Sequence, residues 1–282
     1  MENNQNRESL QYVDVEKVIA SKSEKLLKRL PGFIISYLKR IIHQDEINEN
    51  LHRIKDLYGI DFVEEVLDYF EVKIITIGKE NIPDKGRFIF ASNHPLGGFD
   101  GLVFMYEVSR WDRKVKSVSN DILMNIKNLH PVLVGVNMHG PNSRNDVINF
   151  QKILKGDDPL MIFPAGLVSR KGNGIIRDLK WKKSFISMAT TYKRDIIPVH
   201  INGRNSNFFY NLSNIRKLLR IKANIEMLYL PNETFKQKNK NITIRFGKPI
   251  PYSKFDKSKR PVEWAKWVKE IVYAMESQQT LA

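Results

Sequence analysis

Cysteine is absent from the 282 residues of this chain. Its absence excludes disulfide bridges, thiolate nucleophiles, and zinc or iron–sulfur sites that depend on cysteine ligands. Any nucleophile or base must therefore come from His, Ser, Thr, Lys, Asp or Glu. A chain without cysteine also fits a reducing compartment.

The sequence also lacks a long apolar run. Residues 128–143 form the longest stretch without a charged side chain, and Asn, His, Gly and Pro interrupt it. A membrane-spanning helix needs about 20 predominantly apolar residues. Residues 1–16 are too polar to form the core of a signal peptide. We therefore expect no spanning helix and no secretory signal, although the protein can still lie on a membrane surface.

Acidic residues are too few to balance the basic ones. The chain has 31 Asp and Glu against 46 Lys and Arg, which gives a net charge of +15 and a pI near 9.7. Such a surplus suggests a polyanionic partner, either nucleic acid or anionic lipid headgroups. No helix-turn-helix, zinc-finger or aromatic RNA-binding signature is present, so we expect no nucleic-acid partner. A basic membrane-surface or nucleic-acid-binding protein is the non-enzyme alternative.

The composition is otherwise that of a globular protein, with 42% apolar and 27% charged residues. Residues 1–70 have apolar side chains at three- and four-residue spacing, which predicts helices. Within this region, residues 25–42 carry five cations and no acid. This segment either buries Phe33, Ile34 and Leu38 at a lipid interface or packs on the main domain.

Short β-rich runs alternate with helical stretches from about residue 71 onward. Strands are predicted at 72–77, 87–92, 131–136, 160–164, 196–201 and 242–247. Helices are predicted near 100–110, 121–128, 144–155, 181–194, 211–227 and 261–277. The alternation predicts an α/β domain with a mostly parallel sheet and helices on both faces. We expect residues 71–282 to form this domain and residues 1–70 to form a helical N-terminal appendage.

His94 differs from the other histidines in its context. The predicted strand at 87–92 leads into His94, a Gly-Gly loop follows, and Asp100 opens a helix. Ligands of open α/β sheets bind beyond the carboxyl ends of the strands. A compact loop can fold the Asp100 carboxylate back onto the imidazole, which fixes its tautomer and leaves the other nitrogen as a base. The alternative is that Asp100 only caps the helix and His94 is a polar loop residue.

Two further loops leave the carboxyl ends of predicted strands. Residues 162–171 and 137–144 both combine small residues, a hydroxyl group and arginine. Backbone N–H groups and a guanidinium in such loops can hold a carboxylate or a phosphate. The candidate side chains and backbone groups are those of Ser143, Arg144, Gly166, Ser169 and Arg170.

Four blocks of this sequence resemble the motifs of the glycerolipid O-acyltransferases, the lysophosphatidic acid acyltransferase family. They are the His-Asp motif at 93–100, the Arg-containing middle block at 143–144, the Phe-Pro-Glu-Gly block at 163–170 and the closing apolar-Pro block at 197–199. They occur in the family's order and cover roughly residues 70–250.

The resemblance implies an α/β acyltransferase domain with His94 and Asp100 as catalytic residues. It also implies an acyl thioester of acyl-carrier protein or coenzyme A as donor, a lysolipid as acceptor, and neither metal nor cofactor. Lipid substrates lie in a bilayer, so we expect a peripheral protein on the cytoplasmic face of the inner membrane. Residues 25–42 and 208–222 supply the cations and apolar side chains for that contact.

Two departures from the family pattern bear on the acceptor. The spacing from His94 to Asp100 is one residue longer than the common His-x4-Asp, and Ala165 stands where the family has Glu. Both departures resemble a bacterial branch labelled hemolysin-like, some members of which O-acylate lyso-amino-acid lipids. We therefore expect a lyso-amino-acid lipid acceptor, such as lyso-glycine or lyso-ornithine lipid, with 1-acyl-glycerol-3-phosphate as the alternative.

Overall fold

The computed structural model describes residues 12–119, 126–135 and 144–276. Within these ranges the strands are β1 (Lys73–Ile77), β2 (Phe88–Ser92), β3 (Lys116–Ser119), β4 (Leu133–Gly135), β5 (Leu160–Ile162), β6 (Arg170–Gly172), β7 (Ile175–Arg177), β8 (Asp195–Asn202) and β9 (Asn241–Phe246). The helices are α1 (Val15–Lys22), α2 (Glu24–Arg29), α3 (Gly32–Ile42), α4 (Gln44–Arg53), α5 (Gly59–Tyr69), α6 (Gly98–Ser109), α7 (Arg144–Lys155), α8 (Ser184–Tyr192), α9 (Asn207–Leu218), α10 (Leu230–Phe235) and α11 (Pro261–Ala274). Single 3-10 turns lie at 79–81, 127–129, 225–229 and 252–254.

The main sheet of the described residues has seven strands in the order β1-β9-β8-β2-β5-β3-β4. Strands β8, β2, β5, β3 and β4 run in one direction. Strand β9 pairs antiparallel with β8, and β1 pairs parallel with β9, so these two strands run the other way. The prediction of a mostly parallel sheet is confirmed.

Helices cover both faces of the sheet. Phe88 and Phe90 of β2 belong to a core shared with α5 and α6, whereas Ile89 and Ala91 belong to a second core with α8 and α11. All four side chains are buried, because alternate residues of a strand point to opposite faces. The predicted two-sided packing is confirmed.

Each of the six predicted strands is present, with ends shifted by at most two residues, but three strands of the described ranges were missed. Strand β3 has the sequence Lys-Ser-Val-Ser, with too few apolar residues to stand out. Strands β6 and β7 are three residues each, joined by Asn173 and Gly174, whose φ angles of 49° and 80° are those of a tight hairpin turn. Most of the predicted helix at 121–128 lies outside the described residues.

The N-terminal helices dock against the α/β part of the chain. Phe62, Val63 and Leu67 of α5 lie in the same core as α6, so α5 belongs to that core, and the boundary at residue 70 stays a prediction. Helix α3 contacts α10 and the turn at 225–229. The His43 ring stacks on Phe235 with 4.0 Å between centroids. None of the helices in the described ranges has both the length and the apolar character to cross a bilayer.

Candidate active site

The loops that follow β2 and β5 meet at one edge of the sheet. The two strands are parallel neighbours, with Ala91 opposite Ile162. The residues that come next, His94 and Phe163, therefore lie together, and the Phe163 ring stacks on the imidazole with 4.1 Å between centroids. Residues 137–143 of the third predicted loop, Ser143 among them, lie outside the described residues.

His94 and Asp100 are hydrogen-bonded to each other. The Nδ1 atom of His94 lies 2.8 Å from Asp100 Oδ1, and Asp100 Oδ2 accepts a 2.7 Å hydrogen bond from the Leu96 N–H. Asp100 belongs to the first turn of α6 and its side chain is fully buried. Gly97, at φ 83°, provides the left-handed turn that folds the loop back. The six-residue step is therefore bridged by the loop rather than by helical periodicity.

This arrangement leaves the second imidazole nitrogen available. Since Asp100 accepts from Nδ1–H, Nε2 carries the lone pair. Within the described ranges Nε2 has no hydrogen-bond partner, and the side chain is 16% exposed. Burial lowers the pKa of His94, but the carboxylates of Asp100 and Asp178 together outweigh this effect, so the pKa lies above its ordinary value. The pair can take a proton from a hydroxyl brought to Nε2.

The main chain of His94 is bound as well. Its N–H donates to Asp178 Oδ1 at 3.1 Å, and its carbonyl accepts a 2.7 Å hydrogen bond from the Ser169 N–H. The Ser169 hydroxyl donates to the same Asp178 oxygen at 2.6 Å. The sequence reasoning missed Asp178, because no motif or period marks an acid that follows a short hairpin.

Arg170 is enclosed by protein. Only 5% of the surface of Arg170 is exposed, and its Nη2 donates to Glu226 Oε1 at 3.0 Å. Glu226 is fully buried and also faces Arg216, with 2.8 Å between Arg216 Nε and Glu226 Oε2. The positive charge of Arg170 is therefore already paired within the protein, and its contact with an acceptor stays a prediction.

Of the other predicted anion-binding groups, Gly166 and Arg144 belong to the described residues. Gly166 adopts φ 67° and its N–H donates to the Phe163 carbonyl at 3.0 Å, which makes the loop a tight turn. Arg144 is the first residue of α7. Asn93 joins the site to β8: its amide donates to the Ile201 carbonyl at 2.9 Å and accepts from the Ile201 N–H at 2.7 Å.

A groove of about 620 Å³ lies elsewhere, between α7 and α8. Its lining includes Phe150, Leu154 and Met188, which pack with the second core. The dyad lies on the other face of the sheet, where Phe163 packs with α6 against the first core. The groove and the dyad are therefore separate features.

Comparison with known proteins identifies the family. The family model described as Acyltransferase matches residues 17–280. The chain belongs to this acyltransferase family. The match includes the dyad and both described loops. The protein is therefore an enzyme of a family that transfers acyl groups.

Two curated relatives match this acyltransferase over nearly its full length. The chain is 48% identical to the lyso-glycine lipid O-acyltransferase of Bacteroides thetaiotaomicron, over 95% of this chain and 99% of that protein. It is 43% identical to the protein of the same name from Phocaeicola vulgatus, over 95% and 96%. A 1-acyl-sn-glycerol-3-phosphate acyltransferase of Borreliella burgdorferi matches 50% of this chain at 27% identity.

A solved structure shares the fold of this acyltransferase. It is the 1-acyl-sn-glycerophosphate (LPA) acyltransferase PlsC of Thermotoga maritima, with a TM-score of 0.50 and 17% identity. The similarity covers 88% of this chain and 90% of that one. It agrees with the predicted fold, and at this identity it says nothing about the acceptor.

Proposed function

We propose that this acyltransferase moves a fatty acyl group from an acyl thioester to the hydroxyl of a lysolipid, and that the acceptor is a lyso-glycine lipid. The His94–Asp100 hydrogen bond at the strand edge carries the proposal, because it supplies an oriented base. The names of the relatives at 48% and 43% identity support the choice of acceptor.

In the proposed reaction, His94 Nε2 takes the proton of the acceptor hydroxyl as that oxygen attacks the thioester carbonyl. The new C–O bond forms, the C–S bond breaks, and the imidazolium returns its proton to the departing thiolate. The Asp100 carboxylate stabilises the imidazolium between these steps. No acyl-enzyme is proposed, because the chain has no cysteine and the Ser169 hydroxyl donates to Asp178 and not to the His94 imidazole.

The acceptor's anionic end is the second part of the proposal. A lyso-glycine lipid carries a carboxylate, and the loops after β4 and β5 supply the candidate groups. These are Ser143, Arg144, Gly166, Ser169 and Arg170. Arg170 would have to share its guanidinium with Glu226, so we expect Arg144 to make the larger contribution to acceptor binding. No metal or cofactor is proposed.

A lipid acceptor also requires access to a bilayer, and we propose a peripheral contact on the cytoplasmic face of the inner membrane. Phe33 on α3 is 74% exposed, whereas Ile34 and Leu38 are half-buried. The α3 helix is joined to the turn at 225–229 by a 2.8 Å hydrogen bond between the hydroxyls of Tyr37 and Tyr229. Of the three predicted contact residues, Phe33 is therefore the one best placed to reach lipid.

The second predicted segment lies on the same connected surface. Phe208 packs edge-on against Tyr229, with 4.9 Å between centroids. At the end of α9, Leu218 is 81% exposed and Leu219 is 63% exposed. Exposed lysines and arginines flank these leucines, and residues 207–225 contain no acid. Apolar side chains among cations suit the headgroup region of an anionic leaflet.

Release of free thiol from the acyl donor tests the proposed function. Purified protein is given acyl-carrier protein or coenzyme A thioesters, with lyso-glycine lipid, lysophosphatidic acid or no acceptor. We expect rapid release with lyso-glycine lipid, slower release with lysophosphatidic acid, and almost none without acceptor or with His94→Ala. Preference for lysophosphatidic acid would overturn the acceptor, and absence of acceptor-dependent release with either donor would overturn acyl transfer.

A further inference from the structure

A buried carboxylate that belongs to none of the sequence motifs lies behind the dyad. Asp178 follows the β6–β7 hairpin and is 5% exposed. It accepts hydrogen bonds from the His94 N–H at 3.1 Å, the Ser169 hydroxyl at 2.6 Å and the Trp181 indole N–H at 2.7 Å. Its own N–H donates to the Tyr273 hydroxyl at 2.7 Å. A buried carboxylate with three donors is held in one orientation.

The cluster around Asp178 binds both polar groups of the His94 main chain. Asp178 takes the N–H, and the Ser169 N–H donates to the His94 carbonyl at 2.7 Å. The imidazole is meanwhile held by Asp100, from another element. The two carboxylates therefore bind different parts of His94. Asp100 binds the ring, and Asp178 binds the main-chain N–H.

We propose that Asp178 is a positioning residue that fixes the His94 backbone and so keeps Nε2 aimed at the acceptor hydroxyl. The inference rests on the proposed function, in which His94 is the base. A misplacement of about 1 Å in a catalytic group can cost roughly 100-fold in rate. Both carboxylate oxygens of Asp178 are occupied by protein donors. The effect of losing Asp178 should therefore fall on kcat and not on the binding of the acceptor.

The charge of Asp178 offers a readout that a purely structural residue would not give. Three charged groups act on His94: Asp100 and Asp178 raise the pKa of its imidazole, and Arg170 lowers it. Removing the negative charge of Asp178 should therefore lower the pKa of His94. The acid limb of the pH–kcat/KM profile would then move to lower pH.

Asp178→Asn is the first variant, with Asp195→Asn as its control. Asp195 also binds a loop N–H, that of Tyr252 at 2.9 Å, but at the amino end of β8, away from the dyad. For Asp178→Asn we expect kcat to fall by about 10- to 100-fold, while the acceptor KM stays within about 3-fold of the parent value. The acid limb of the pH–kcat/KM profile should shift to lower pH. The control should match the parent. An Asp178→Asn protein with unchanged kcat and an unshifted limb would overturn the proposal.

Ser169→Ala keeps the proposal falsifiable if Asp178→Asn does not fold. This variant removes one hydrogen bond to Asp178 but leaves its charge and the Ser169 N–H in place. We expect a smaller fall in kcat, of about 3- to 10-fold, and an unshifted acid limb. A parent-like kcat, or a change confined to the acceptor KM, would overturn the positioning role.

NMR titration of the imidazole gives a measurement that does not require turnover. The His94 resonance is assigned by its loss in His94→Gln, and its pKa should be lower in Asp178→Asn than in the parent. If the titration shifts but the parent transfers no acyl group, the proposed function fails and the contact stands. If the parent is active and the titration is unchanged, the inference alone fails.

Discussion

At the scale of single residues, the proposed mechanism depends on the His94–Asp100 dyad. His94→Ala removes the base and should lower kcat/KM by about 10²- to 10⁴-fold, with no loss of folding, because the ring contributes one hydrogen bond and one stacking contact. Asp100→Asn should be impaired nearly as much, because an amide no longer stabilises the imidazolium. Thiol release and circular dichroism check both variants. A folded His94→Ala protein within a few-fold of the parent would contradict the mechanism.

The pH dependence of the parent follows from the same contact. Burial acts to lower the pKa of His94, but the neighbouring carboxylates, Asp100 foremost, raise it above its ordinary value. The base is active when unprotonated, so kcat/KM should fall as the pH drops through that raised pKa. In Asp100→Asn the residual activity should survive to lower pH. An acid limb that stays in place in Asp100→Asn would show that it belongs to another group.

The sequence was informative about His94 and Asp100 because both sit in a short loop whose chemistry is local. Their hydrogen bond needs only the turn at Gly97, which the Gly-Gly pair in the sequence predicts. Ser169 and Arg170 were found by the same reasoning, but their hydrogen-bond partners were not. Those partners, Asp178 and Glu226, lie 9 and 56 residues further along the chain, and only the fold brings them close.

At the scale of elements, one buried cation holds the end of α7. Arg194 is fully buried, and its guanidinium donates to the carbonyls of Ile153, Leu154 and Gly156 at 2.6 to 3.1 Å. Burial lowers its pKa to about 10. The last carbonyls of a helix have no intrahelical donors, and Arg194 supplies several of the hydrogen bonds that they accept here.

Arg194→Met should lower the free energy of unfolding by about 3 to 5 kcal/mol, because several carbonyl acceptors lose a buried donor together. Arg87→Met is a matched control: Arg87 also donates to the Leu154 and Gly156 carbonyls, but 31% of its side chain is exposed. We expect it to cost about 1 kcal/mol. Urea unfolding measures both. An Arg194→Met variant within 1 kcal/mol of the parent would show that water replaces the guanidinium.

The elements that the sequence predicted well carry a clear apolar signal: β2 and β8 are mostly apolar runs buried on both faces, and α11 has apolar residues at helical spacing. Strand β3 was missed because its position in the sheet comes from pairing with β4 and β5 and not from its own side chains. The β6–β7 hairpin carried a readable Asn-Gly turn, but two three-residue strands have no period to detect.

At the scale of the whole molecule, the surface formed by α3, the turn at 225–229 and α9 should bind anionic vesicles. Replacing Phe33, Leu218 and Leu219 with Ser should weaken sedimentation with such vesicles by about 10-fold or more, since each exposed apolar side chain contributes on insertion. Turnover of a detergent-dispersed acceptor should change little. Val147→Ser with Ile148→Ser, at exposed apolar sites on α7, serves as the control.

Undiminished vesicle binding by a folded triple variant would exclude this surface. Equal losses of vesicle binding in the triple variant and the control would show that exposed apolar side chains bind vesicles nonspecifically. High salt should release part of the bound parent, because screening weakens the attraction of the cations but not the apolar insertion.

The reversed direction of β1 and β9 has a consequence for how a lipid reaches the dyad. Because these strands run against the other five, each begins at the rim of the sheet where β2 ends. The preceding helices α5 and α10 therefore arrive at the rim that holds His94, and Phe70 lies 4.9 Å from Phe99 in the first turn of α6. If β1 ran parallel to β2, it would begin at the opposite rim. Its five residues would then separate Phe70 from Phe99 by roughly 17 Å. Helix α10 contacts both α3 and α6, so in the proposed membrane contact a lipid acceptor would enter at this rim and not around the sheet.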